Sequence, residues 1–122
     1  MSGVWLWTAV VALGGAGSLL RLVVDERVRR HRPAAFPLGI FTVNVSAALL
    51  IGAITGAGLS RDAAWLASTA FVGAYSTFST WMLDTVNAAS RRLFLIATSN
   101  IAASTVLGIS AAWLGRSIAA HL

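Results

Sequence analysis

Four hydroxyl side chains, Ser76, Thr77, Ser79 and Thr80, fall within five consecutive positions of the stretch Gly73–Trp81, interleaved with the rings of Tyr75, Phe78 and Trp81. Hydroxyls beside a glycine can hydrogen-bond neighbouring backbone groups and so compete with the helical ladder. The stretch sits in an apolar segment long enough to cross a membrane. In hydrocarbon, freed backbone polar groups are tolerated only where they face protein or a wet cavity. A helix broken at mid-membrane here is therefore expected to line a pathway.

The elements that must position this stretch follow from composition. The chain has 122 residues, 57% hydrophobic and 11% charged, which places it as a single-domain membrane protein. It has no cysteine, hence no disulfide framework and no thiolate metal site. The formal charge of +5 comes from nine arginines and no lysine. These arginines lie between apolar spans and form no continuous basic face, so they read as membrane-flanking charge and not as a nucleic-acid surface. Residues 1–24 lack a positively charged leading region, and their small residues fall mid-span, so they read as a first spanning helix and not as a cleaved signal.

A hydrocarbon core of about 30 Å requires about 20 helical residues. Four segments meet this, near Val4–Val24, Leu38–Gly58, Ala63–Leu83 and Leu93–Leu114. The connections between them are too short for another folded unit. The expectation is an all-α membrane protein of four transmembrane helices, multi-pass in the cell inner membrane, with the third helix broken at mid-membrane.

Polar residues within the spans supply candidate chemistry. Arg21 follows Gly14 and Gly17 on one face of the first span; it either snorkels to the headgroups or places a cation at an aqueous vestibule that attracts anions. In the second span Asn44, Ala48, Gly52 and Gly56 recur every four residues as one stripe. The Asn44 amide either bonds a neighbouring helix or donates N–H groups to a passing anion. The fourth span carries Asn100, Ser104, Gly108 and Ala112 at the same spacing, a small-residue packing face with a polar end. Asp25, Glu26, Asp62 and Asp84 all sit at or beyond a span's end. Without a buried acid, a small-multidrug-type exporter is disfavoured. Paired catalytic carboxylates, a zinc site and a Ser–His–acid arrangement are missing too, so an enzyme is not expected.

Over nearly its whole length the chain resembles the Fluc family of fluoride channels, also called CrcB-like proteins. Three motifs carry the resemblance: Gly14 through Gly17-Ser18 to Arg21, Gly39 with Val43-Asn44, and Gly73 with Ser76 through Thr80. The resemblance implies an antiparallel dimer of dual topology with two narrow pores, and a structural Na⁺ at the dimer centre held by backbone carbonyls, here those of Gly73 and Ser76. It further implies a pore lined by Asn44, Phe78 and Trp81 and continued by Thr80 and Ser104, with Arg21 at the vestibule. Trp81 replaces a phenylalanine of the family, Ala74 and Ala47 replace glycines, and Gly108 stands where a polar residue often extends the track. The implied function is passive fluoride export that confers fluoride resistance. Such a pore must replace the water of a small, strongly hydrated anion with hydrogen-bond donors.

Arginine placement bears on partners. The first and third connections hold Arg27, Arg29, Arg30, Arg32, Arg91 and Arg92, whereas the opposite side holds only Arg61 and Arg116. This bias puts those connections in the cytoplasm. A single orientation suits a subunit that pairs with a second homologous chain of opposite bias. The homodimer is the alternative, as is a non-conducting structural partner in a heterodimer.

Overall fold

The computed structural model describes residues 3–122, all helix and short connections. Helix α1 spans Gly3–His31 and α2 spans Leu38–Gly56. A third segment is composite. It begins as α3 (Arg61–Trp65), widens into a π-helical stretch over Leu66–Val72 and closes as the short α4 (Gly73–Tyr75). After an interruption it resumes as α5 (Ser79–Ser90). Helix α6 spans Phe94–Ala120. Of these, α1, α2 and α6 are long and apolar enough to cross a membrane. The third segment is divided too finely for any one piece to do so.

Helix α1 outruns the expected first span by a further two turns. The added residues are charged, and acid precedes base at four-residue spacing. Arg29 bonds Asp25 at 3.1 Å and Arg30 bonds Glu26 at 2.7 Å. Pairs of this polarity add about 0.2–0.5 kcal/mol each to an exposed helix. Helix α6 likewise continues past Leu114 to Ala120. At the other turn, Gly58 takes a left-handed backbone (φ 67°) that closes the link from α2, and the Ser60 hydroxyl caps α3 by accepting the Ala63 N–H at 3.3 Å.

Glycines set how closely the helices approach. A Cβ at Gly52 would collide with the Ala112 carbonyl, one at Gly56 with the Arg116 carbonyl, and one at Gly115 with the Leu49 carbonyl. Residue numbers therefore rise together along α2 and α6, which run parallel in the most extensive helix pairing of the fold. Gly17 does the same for α1, where a Cβ would meet the Phe71 carbonyl of the π-helical stretch. The small-residue face expected on the fourth span is corrected in one respect. Gly108 faces open space, and the close approach is made by Gly115. Val43, Ala47, Val72 and Tyr75 form the buried core between α2 and the third segment.

Candidate functional site

The interruption is where the site is built. Helix α4 ends because Ser76 is extended (φ −77°, ψ 161°), and α5 restarts at Ser79. A continuing helix would send the Thr77 N–H to the Gly73 carbonyl. Instead that N–H donates to Asn44 Oδ1 at 3.0 Å, while Asn44 Nδ2 donates to the Thr77 carbonyl at 2.9 Å. The Thr77 hydroxyl in turn accepts the Thr80 N–H at 3.2 Å and so caps the first turn of α5. From α1, Arg21 Nη1 donates to the Ser76 carbonyl across 3.4 Å. Side chains from two other helices thus hold the backbone of the unwound residues.

Beside the interruption lies an open groove of about 360 Å³, walled by Asn44, Ala47, Ala48 and Ile51 of α2, Ser76, Thr77, Phe78 and Trp81 of the third segment, and Ser104 and Ala112 of α6. Its aromatic wall is a pair: the Phe78 and Trp81 rings meet edge to face at 5.7 Å. Phe78 is 70% exposed in the isolated subunit. The Trp81 indole N–H donates to the Asn100 carbonyl at 3.2 Å, which fixes the ring against α6. Thr85 closes the network, with its hydroxyl donating to the Trp81 carbonyl at 2.9 Å and accepting from Asn100 Nδ2 at 2.9 Å. Ser104 Oγ and Asn100 Oδ1 are both buried and, among the described residues, find no hydrogen-bond partner.

The structure therefore brings together Asn44, Ser76, Phe78, Trp81 and Ser104. Thr80 is not among them. It faces a second pocket of about 280 Å³ with Asp25, Arg29, Gly39 and Asp84 at the end of α1. Gly73 lines neither space, and Arg21 reaches the Ser76 backbone. Thr85 is the member that sequence reasoning missed. Its position one turn after Trp81 was the available signal. Also unforeseen was the Tyr75 hydroxyl, which shares a hydrogen bond with Ser46 Oγ at 2.8 Å and ties α4 to α2.

Comparison with known sequences decides the family. The profile of the CrcB-like protein family (Camphor Resistance, CrcB) matches residues 8–116. The chain belongs to the CrcB-like family. It is 50% identical over 119 residues to the fluoride-specific ion channel FluC 2 of Mycolicibacterium paratuberculosis, covering 98% of both chains. It is 49% identical to the FluC 2 of Mycobacterium tuberculosis, covering 93% of this chain and 90% of that one. The fluoride-specific ion channel FluC 1 of Frankia casuarinae is 38% identical, covering 93% of this chain and 95% of its own. Its CrcB-like membership and its three membrane-length helices make the chain a multi-pass bacterial membrane protein, and its family is one of ion channels, not enzymes.

Proposed function

We propose that the chain is a subunit of a fluoride-selective channel through which the ion leaves the cytoplasm passively. The observation that carries this reading is the groove at the interruption, where an amide, hydroxyls and two aromatic rings converge. Asn44 has two N–H groups, and only one is engaged with Thr77. The other, with the hydroxyl of Ser104, supplies donors that replace the water around fluoride. The ring edges of Phe78 and Trp81 carry the positive part of the quadrupole and complete an anion-facing wall. Thr80 and the cationic Arg21 serve the approaches to this track. In acid surroundings HF crosses the bilayer and dissociates inside, so a passive exit suffices.

An open groove cannot keep lipid from the ion, and a second subunit of inverted topology is the element that closes it. The interruption then lies at mid-membrane, at the centre of a dimer. The Gly73 carbonyl, deprived of the Thr77 N–H, and the Ser76 carbonyl, turned out of the helix, are hard oxygen donors of the kind a structural Na⁺ takes. They would hold the ion between the two subunits and lock the interface. The Arg21 guanidinium lies against the same Ser76 oxygen and competes with the cation for it.

The arginine bias favours a heterodimer with a homologous chain inserted the other way. A second reading, in which this subunit is the non-conducting partner, draws on the same bias and on Trp81, whose indole is bulkier than a phenyl ring. Fluoride efflux from liposomes carrying this chain alone, and then with a homologous chain of opposite bias, tests both. Efflux of fluoride but not chloride that responds to changes at Asn44 and Phe78 supports conduction by this subunit. Efflux indifferent to those changes assigns it the structural role. Robust efflux by the lone protein, with tags found on both membrane faces, selects the homodimer.

A further inference from the structure

We infer that Asn44 is a positioning residue that keeps the third segment unwound by standing in for a missing peptide group. Its carboxamide offers one N–H and one C=O in the plane of a backbone amide. It uses both on one residue, accepting the Thr77 N–H at 3.0 Å and donating to the Thr77 carbonyl at 2.9 Å. The two bonds run between α2 and the interruption, 33 residues apart in sequence. This is the double pairing that a neighbouring strand would give Thr77.

The consequence follows from the cost of unpaired backbone. A peptide N–H or C=O left without a partner in an apolar setting is strongly disfavoured. The Thr77 N–H has one obvious alternative, the Gly73 carbonyl four residues earlier, and taking it would extend α4 through the interruption. Asn44 removes that incentive. It thereby leaves the Gly73 carbonyl without its helical donor and holds Ser76 extended. The pair of hydrogen bonds also fixes the amide's orientation, since exchanging O and N would set two donors, and two acceptors, against each other. The remaining Nδ2 hydrogen is thus held in one place relative to the groove. The device is independent of which ion the groove passes.

The test is site-resolved ¹³C and ¹⁵N magnetic resonance of Ser76 and Thr77 in the full chain in bilayers, for the native protein, Asn44→Ala and Asn44→Asp. Asp still accepts the Thr77 N–H, and when protonated it can also donate to the Thr77 carbonyl. The native chain is expected to show Ser76 shifts of extended backbone and a Thr77 amide protected from exchange. Asn44→Ala is expected to lose the extended shifts, whether the segment closes into helix or disorders, and Asn44→Asp is expected to restore them. If Asn44→Ala fails to assemble, loss of extended shifts in Asn44→Asp at a pH that protonates its carboxyl and lets it assemble would overturn the inference, and their retention would support it. Unchanged shifts in Asn44→Ala would overturn it outright. Fluoride efflux on the same samples separates the two claims, because lost efflux with unchanged shifts leaves Asn44 a donor to the ion and removes its role in holding the backbone.

Discussion

The Trp81 indole N–H donates to the backbone carbonyl of Asn100 at 3.2 Å, so a side chain of the groove wall is anchored to the helix opposite it. A phenylalanine at this position could fill the groove but could not make that bond. One net hydrogen bond contributes about 0.5–1.5 kcal/mol. Trp81→Phe is therefore expected to lower subunit stability by about that amount, read as a drop in the midpoint of thermal unfolding in detergent. Under the proposed function it should leave fluoride efflux intact or raise it, because the smaller ring widens the path. Abolished efflux in a folded Trp81→Phe protein would contradict a simple lining role.

Ser104 gives a contrast between stability and flux. Its hydroxyl is buried and, among the described residues, has no hydrogen-bond partner, a state that costs about 1–3 kcal/mol. Ser104→Ala removes that cost, so the fold is expected to be unharmed or stabilised. If the hydroxyl meets the ion, efflux should fall several-fold in the same protein. Unfolding and liposome efflux measured side by side would decide, and a stable variant with native efflux would remove Ser104 from the track.

The glycine contacts predict a position-specific pattern. Gly52→Ala and Gly115→Ala each drive a methyl into a backbone carbonyl of the facing helix, which cannot swing aside as a side chain can. Overpacking of this kind typically costs about 1–3 kcal/mol. Both variants should show reduced folded yield by size-exclusion chromatography. Gly108→Ala meets nothing within contact distance and also favours helix, so it should be neutral or mildly stabilising. A harmful Gly108→Ala would reveal a close contact made only in the assembled channel.

Arg21 sets up a cation–cation competition at the Ser76 carbonyl. Replacing it with Gln removes the positive charge and keeps a donor. If Na⁺ binds the carbonyls of Gly73 and Ser76, Arg21→Gln should tighten that binding by about tenfold, equivalent to about 1.4 kcal/mol. The measurement is the rise in unfolding temperature as Na⁺ replaces a bulky organic cation. No Na⁺ dependence in either protein would argue against a cation at these oxygens.

Asp84, one residue beyond the third expected span, has its carboxyl pushed above the ordinary 3.8 by burial first and by the charge of Asp25 second, with Arg29 opposing. A carboxyl raised by folding stabilises the fold while protonated. That contribution is complete below pH 3.8 and is lost as pH rises through the raised value. Asp84→Asn should therefore flatten the stability curve over the pH range just above 3.8 and be more stable than the native chain at neutral pH. Unfolding midpoints taken from pH 4 to pH 7 check this, and parallel curves for the two proteins would refute it.

Hydropathy, the arginine positions and the three motifs were enough, by themselves, to determine the class of this protein, its helical character, its family and the residues worth testing. These are local properties, since about 20 apolar residues in a row need no knowledge of their neighbours. What tertiary structure decided is which of those residues meet. A four-residue stripe marks a helix face but not the depth at which the face touches another helix, so Gly115 and not Gly108 makes the close approach to α2. The π-helical widening at Leu66–Val72 has no signature in the apolar pattern. Thr80 shares a motif with Phe78 but faces another pocket, because two residues of helical backbone turn the side-chain direction by about 200° between them. Asn44 was legible as a polar residue in an apolar span, but its pairing with Thr77 was not. Two groups distant in sequence become partners only when packing brings α2 against a stretch whose backbone the helix has released.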